Sequence, residues 1–200
     1  MNEKIETQKQ FFKFSSAKDF LPWLLILSTV GLMIVQLRFQ GRIWWCSLGD
    51  YLPWSSDAWG SHNSQHLFDP YSFTHILHGV LYFWLISLIF RKIPLVWQFT
   101  LAILVESAWE ILENTNTVVE HYRTATLALN YYGDSIFNSF GDVISVAVGF
   151  WIAYKLRFWR SLALFLLTEI VLLIWIRDSL LVNIILLIYP IEAIKTWQGS

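Results

Sequence analysis

Long apolar runs alternate with short polar segments along the chain, and the runs are long enough to predict helices that cross a membrane. A spanning helix needs about 20 consecutive, mostly apolar residues. Five stretches meet or nearly meet that length, at about 20–38, 70–90, 95–115, 136–155 and 161–177. A sixth apolar run, from Leu180 to Ile191, is too short to span. The pattern predicts an all-α, polytopic membrane helix bundle of about five spans, followed by a short C-terminal interfacial or re-entrant helix.

The first apolar run follows a polar segment, which we interpret as a cytoplasmic tail over residues 1–19. No small-residue cleavage site follows this run, because the chain continues Gln36-Leu37-Arg38-Phe39. A removed signal peptide would carry such a site. We therefore expect a retained anchor and one transmembrane helical domain over residues 20–200.

The composition agrees with a bilayer environment. Hydrophobic residues make up 56% of the chain and charged residues 14%, whereas soluble domains are about 25% charged. The net charge of -1 gives no bulk attraction for nucleic acid, so we expect the lipid bilayer and no nucleic acid as a partner. The one cysteine, Cys46, excludes an internal disulfide framework and a cysteine-rich zinc site.

The positions of Lys and Arg predict the orientation, because cytoplasmic loops of inner-membrane proteins carry an excess of both. With the N-terminus in the cytoplasm, nine basic residues fall inside and five outside. The inside group includes Arg91-Lys92 and Arg157, which lie in short loops and therefore count most. The sequence predicts a cytoplasmic N-terminus and five spans, which place the C-terminus on the outer side of the membrane.

Ionisable side chains recur at helical spacing on three of the predicted spans. Residues three or four apart share one face of a helix, so each span carries a polar stripe, and all three stripes fall in the outer half of the bundle. An acid at the centre of a bilayer costs about 2.5–3.5 kcal/mol on insertion scales, so these groups are expected to face each other, water or a cation. The stripes are His75 and His78 on the second span, Glu106, Glu110 and Glu113 on the third, and Asp134, Asn138 and Asp142 at the start of the fourth.

Two chemical interpretations of these stripes remain open. In the first, His75, His78, Glu110, Glu113 and Asp142 bind a divalent transition metal, since imidazole and carboxylate ligands suit zinc, iron or manganese. In the second, a metal-free site uses Glu106, Glu110, His75 and Asp134 as acids and bases. Either site would act on a lipid or on an envelope substrate in the periplasm.

The loop after the third span offers candidates for substrate binding. Arg123 suits a phosphate or carboxylate of a substrate, and an ion pair with Glu120 is the equal alternative. We add Tyr132, which leads into Asp134, and Asn138 of the fourth-span stripe to this group.

Two functions without catalysis also remain open. The stripes could form the proton or cation relay of a transporter or of a membrane assembly partner, although the absence of an internal repeat in the sequence argues against a carrier of the inverted-repeat type. They could also be a polar network that only fixes helix packing.

Several polar residues outside the stripes have structural interpretations. We expect Asp69 to cap the second span, Gly133 to form a tight turn, and Asp134 to cap the fourth span. We expect His62 and His66 to be solvated loop histidines, and Arg177-Asp178 to contact lipid headgroups. Glu169, near the middle of the fifth span, is expected to pair with a neighbouring helix or to face the cavity.

The motifs together resemble the bacterial UPF0314 family of inner-membrane proteins, over about residues 40–198. The resemblance implies location and topology and no particular reaction. It rests on the run from Asp69 to Gly79, the run from Glu106 to Asn114, His121-Tyr122-Arg123-Thr124, the run from Tyr132 to Asp142, and Arg177-Asp178 with Asn183.

A looser similarity is to VanZ-like membrane proteins, which place a His in one helix, a Glu in the next, and an Asp with an Asn before a following helix. It implies a shared outer-leaflet site connected with cell-envelope lipids or glycopeptide resistance. His78, Glu110 and Glu113 depart from the simplest form of that pattern.

Overall fold

The computed structural model describes residues 17–126 and 131–199. Seven helices occur in these residues, and residues 1–16 of the predicted tail lie outside them. The helices are α1 (Ala17–Phe39), α2 (Ser72–Ile89), α3 (Leu95–Glu113), α4 (Asn116–Ala125), α5 (Ile136–Trp175), α6 (Leu180–Ile188) and α7 (Glu192–Gln198).

Four of these helices, α1, α2, α3 and α5, are long and apolar enough to cross a membrane. Their outward faces carry large apolar side chains: Leu27 is 72% exposed, Leu32 67% and Ile174 78%. A soluble protein rarely exposes contiguous apolar surface of this kind. The chain is therefore a helical membrane protein, and the predicted fold class is confirmed.

The predicted fourth and fifth spans lie in the single 40-residue helix α5, which is broken at Arg157. Arg157 has φ 63° and ψ 177°, outside the helical region. The first half of α5 packs parallel to α2, since Gly149 meets Ile76 and, further along both helices, Tyr154 meets Phe83. The second half returns along α2 in the opposite direction: Ser161 accepts a hydrogen bond from Trp84, and Trp175 packs on Phe73. A single residue with a left-handed backbone conformation thus reverses the chain direction where the sequence predicts a loop.

Small residues let α2 and the first half of α5 approach at backbone distance. A Cβ atom on Gly79 of α2 would collide with the backbone of Val146 and Phe150. A Cβ atom on Gly149 of α5 would collide with the carbonyl of Ile76. This close packing, typical of small residues between membrane helices, brings the histidines of α2 next to the acidic stripe of α5.

The segment of residues 40–71, called the first loop from here on, packs onto the end of the bundle where α2 and α5 begin and α3 ends. Its backbone carbonyls at Ile43 and Ser64 accept hydrogen bonds from Ile136 and Ser135. His66 is fully buried, so the expectation that it is a solvated histidine was wrong. The loop is ordered by backbone hydrogen bonds, which leave no signal in the hydrophobic pattern.

The start of α5 differs from its predicted cap, whereas Asp69 does accept a hydrogen bond from the backbone N–H of Ser72, the first residue of α2. Ser135, and not Asp134, caps α5 by accepting a hydrogen bond from the backbone N–H of Asn138, because the Asp134 carboxylate is bound to Asn114. Helix α2 starts at Ser72, and Asp69 accepts from the backbone N–H of Tyr71 at 2.7 Å. Gly133 has φ 92°, as its predicted turn requires.

The C-terminal apolar run forms α6, which starts beside the second half of α5. Glu169 accepts hydrogen bonds from the backbone N–H groups of Leu180 and Leu181, at 3.1 and 3.2 Å. These N–H groups have no partner within their own helix, so Glu169 caps a neighbouring helix from inside the bundle. Residues 116–125, predicted as loop, form the short helix α4.

Candidate functional site

His75, in the first turn of α2, lies at the centre of the polar cluster. Its Nδ1 is 2.5 Å from Glu106 Oε1 and 3.7 Å from Glu110 Oε1, both on α3. Its Nε2 is 3.8 Å from Asp142 Oδ2 on α5. All four side chains are buried. The three predicted stripes therefore meet around one imidazole.

Glu106 is the best satisfied carboxylate of the cluster. Besides His75, it accepts a hydrogen bond from the hydroxyl of Tyr82 at 3.0 Å, and His78 Nδ1 lies 3.5 Å away. A carboxylate held in this way fixes the orientation and tautomer of the histidine that it contacts. Tyr82 was not among the predicted site residues, although it stands one turn after His78 on the same face of α2.

Glu110 and Asp142 have buried oxygens without a hydrogen-bond partner among the described residues. Both carboxylate oxygens of Glu110 are in this state, and so is Oδ1 of Asp142. Buried polar groups are nearly always hydrogen-bonded, so these oxygens indicate a group that binds between them, either a cation, a proton or water.

Within this cluster, two sets of side chains place their ligand atoms within 4.8 Å of one another. One is His75, His78 and Glu106, and the other is His75, Glu110 and Glu113. The carboxylate oxygens of Glu106 already bond to His75 and Tyr82, whereas those of Glu110 have no hydrogen-bond partner among the described residues. The second set, with Asp142 beside His75 Nε2, is thus the one that contains unbonded carboxylate oxygens, on Glu110 and Asp142.

Asp134 is held at the edge of the cluster by Asn114, at the C-terminal end of α3. The Asn114 side-chain amide donates to Asp134 Oδ2 at 2.7 Å, and its Oδ1 accepts from the backbone N–H of Asp134 at 2.7 Å. Burial raises the pKa of Asp134, and the bond from Asn114 opposes that shift. A carboxyl whose pKa is raised above its usual range is a candidate for proton transfer.

A cavity of about 300 Å³ adjoins the cluster. Its polar wall includes His75, His78, Glu113, Asp134 and Asp142. Its apolar wall comes from α2, α3, α6 and the first loop, and consists of Leu81, Trp109, Leu180, Ile184, Leu187 and Trp59. None of the described residues that line it is Lys or Arg.

Asp178, just after α5, also lines the cavity, and it was expected to contact lipid headgroups. It is 3% exposed and accepts hydrogen bonds from the Tyr71 hydroxyl at 3.1 Å and from the backbone N–H of Ser179 at 2.9 Å. Burial raises the pKa of Asp178 to about 7. Burial likewise raises the pKa of Asp69, which precedes α2, to about 6. The sequence alone does not show that these two aspartates are buried.

The predicted substrate-binding residues lie outside the cavity. Arg123 donates to Glu120 at 3.1 Å and stacks over the ring of Tyr132 at 4.7 Å, while Tyr132 is 64% exposed. Asn138 is buried, and its amide donates to the carbonyl of His66 at 2.7 Å. Their role toward a substrate stays a prediction.

The amino-acid sequence of this chain is similar to those of a family of bacterial proteins. The family described as "Protein of unknown function (DUF2585)" matches residues 37–200. The UPF0314 protein of Rhizobium johnstonii is 42% identical over 173 residues, which cover 85% of this chain and 89% of the relative. The UPF0314 protein of Brucella anthropi is 41% identical over 191 residues, covering 96% and 97%. That of Paracoccus denitrificans is 35% identical over 179 residues, covering 90% and 93%. No solved structure matches the chain.

Proposed function

The chain belongs to the UPF0314 family of bacterial membrane proteins, and from its polar cluster we propose that it is a metal-dependent enzyme of the inner membrane. In this proposal His75, Glu110, Glu113 and Asp142 hold a divalent transition metal at the end of the bundle. The observation that carries it is that both carboxylate oxygens of Glu110 and Oδ1 of Asp142 are buried without a hydrogen-bond partner among the described residues, in side chains that lie beside the imidazole of His75.

The charge balance of the site supports a cation. Carboxylates outnumber imidazoles around His75, and the described lining of the cavity has no Lys or Arg to neutralise them. Several buried carboxylates cannot remain ionised together without a counter-charge. A divalent ion supplies that charge, and nitrogen with oxygen ligands suits zinc, iron or manganese.

The contacts of His75 give each group a role. Its Nδ1 is bonded to Glu106, which leaves Nε2, on the side of Asp142, as the metal ligand. Carboxylate–histidine pairs of this kind orient the ligand and strengthen it. A metal bound there with an open position would acidify a bound water, and Asp134 would exchange protons with the reacting group.

The cavity suggests the substrate class. One wall is apolar and the other carries the polar cluster, so a ligand with an apolar chain and a polar head matches both. An anionic head would be held by the metal, because the described lining offers no basic side chain. We propose a lipid or a lipid-linked envelope molecule, reached from the periplasmic side with the N-terminus in the cytoplasm.

Metal analysis of the purified full-length protein tests the proposal. Wild-type protein reconstituted with Zn²⁺, Mn²⁺ or Fe²⁺ should retain one of them after desalting, and Glu110→Gln should retain less of it per chain because one ligand loses its charge. Glu120→Gln is the matched control, since Glu120 is an exposed carboxylate outside the cluster, and it should keep the metal.

Retention of no metal by the wild-type protein would overturn the metal centre. Ion-coupled uptake by wild-type proteoliposomes that is lost in Glu110→Gln would then identify the cluster as a proton or cation relay. Full physiological function in both Glu110→Gln and His75→Ala, with only lower thermal stability, would identify a packing network.

A further inference from the structure

A second group of potential metal ligands lies in the first loop, apart from the cluster around His75. Cys46 Sγ is 3.5 Å from His62 Nδ1, and His62 Nδ1 is 3.0 Å from His66 Nε2. The three ligand atoms all lie within 4.8 Å of one another. Cys46 and His66 are buried and His62 is half-buried.

The backbone fixes which nitrogen of His66 faces the group. His66 Nδ1 is 2.6 Å from the carbonyl oxygen of Leu52, and a carbonyl can only accept a hydrogen bond. Nδ1 of His66 therefore carries the proton, and in the neutral ring Nε2 directs a lone pair at His62 and Cys46. Metal-ligating histidines have this arrangement, in which the second ring nitrogen donates to a backbone carbonyl or carboxylate.

The spacing of the three atoms matches that around a tetrahedral zinc ion. With Zn–N of about 2.0–2.1 Å and Zn–S of about 2.3 Å, neighbouring ligand atoms stand about 3.4 Å (N to N) and about 3.6 Å (N to S) apart. The observed 3.0 and 3.5 Å need only small side-chain shifts to admit the ion.

We propose that Cys46, His62 and His66 form a second metal site that binds Zn²⁺, with water as the fourth ligand on the half-buried side of His62. Binding releases the thiol proton of Cys46 to solvent, because the thiolate is the ligand. The ion ties three points of the first loop together.

This site would hold the first loop in place over the cavity. Asn63 and Ser64, which lie between the two histidines, line the cavity, and the carbonyl of His66 accepts the hydrogen bond from Asn138. The site shares no ligand with the cluster around His75, so it stands or falls independently of the proposed enzymatic function.

Alkylation of the purified full-length protein tests the site, because Cys46 is the one cysteine of the chain. Zn²⁺ should slow the reaction of Cys46 with iodoacetamide, and a chelator should restore the rate. His62→Gln and His66→Gln should remove the protection. An unchanged wild-type rate with Zn²⁺ would overturn the proposal.

Cobalt substitution separates this site from the cluster around His75. Co²⁺ bound by a thiolate has a sulfur-to-metal charge-transfer absorption that oxygen and nitrogen ligands do not give. Wild-type protein and Glu110→Gln should both show this absorption, and Cys46→Ser should not. Its absence from Co²⁺-loaded wild-type protein, or its persistence in Cys46→Ser, would overturn the assignment.

Discussion

The Asn114 side chain is a neutral group whose hydrogen bonds allow the carboxyl of Asp134 to be buried. It is fully buried and satisfies both the carboxylate and the backbone N–H of Asp134. A hydrogen-bond donor of this kind stabilises the charged form of a buried carboxyl without adding a second charge. Asn114 therefore belongs to the proposed site as a residue that positions Asp134.

Replacing Asn114 by alanine should destabilise the protein. A buried acceptor and a buried donor lose their partner, and each such loss costs about 1–3 kcal/mol. Thermal unfolding in detergent should show a lower Tm for Asn114→Ala than for wild type. Asn116→Ala is the matched control, because Asn116 is an exposed asparagine bonded to Arg42; an equal loss in both variants would contradict the prediction.

Asp178 should make stability depend on pH. Burial raises its pKa from 3.8 to about 7, so between these two values the folded state binds more protons than the unfolded chain. The free energy of unfolding then falls as pH rises through that window. The Tm of wild type relative to Asp178→Asn should therefore decrease from about pH 4 to about pH 7. Parallel profiles for the two proteins would show that Asp178 does not titrate in this range.

Helix α2 is the element on which the site is built. Its first two turns carry His75 and His78, and both halves of α5 pack along it. The close approach at Gly79 and Gly149 sets the distance between α2 and α5, and with it the separation of His75 from Asp142. The Arg157 reversal then brings Glu169 and Asp178 back toward the start of α2 and the cavity.

Gly79→Ala should separate α2 from α5. The added Cβ meets backbone atoms of Val146 and Phe150, which cannot move aside as a flexible side chain can, and overpacking costs about 1–3 kcal/mol. Both Tm and retained metal should fall. Gly31→Ala is the control, because a Cβ there meets nothing within 4 Å; alanine should stabilise that helix by up to about 1 kcal/mol. Equal Tm values for the two variants would contradict this prediction.

Over the whole molecule, the polar groups gather at one end of an apolar bundle. The first loop, α4 and the start of α6 cover that end, and the short turn at 90–94 marks the other. The cavity lies where α2, α3, α5 and α6 meet beneath the first loop, so substrate access depends on which side of the membrane this end faces.

Cysteine labelling of intact cells should place this end in the periplasm. In a Cys46→Ser background, a cysteine at exposed Leu48 in the first loop should react with a membrane-impermeant maleimide. A cysteine at exposed Lys92 should react only after the cells are opened. The reverse pattern would show the opposite orientation.

The sequence by itself determined the fold class and most of the spans. Runs of about 20 apolar residues become helices in a bilayer because each backbone N–H and C=O must be bonded within its own segment. The spacing of His75 with His78, and of Glu106 with Glu110 and Glu113, likewise placed each group on one face of its helix. These are local properties, and local periodicity predicts them.

Only the tertiary structure decided which of these side chains meet and which residues join them. His66 and Asp178 look like solvated loop residues in the sequence, but both are buried and both are hydrogen-bonded to residues in distant segments. Besides its N-cap Ser179, the first turn of α6 is bonded by Glu169, eleven residues before Leu180. The chain reverses at Arg157, where no glycine or proline in the sequence marks a turn. Such features depend on packing between elements that are far apart along the chain, and no pattern within one element records them.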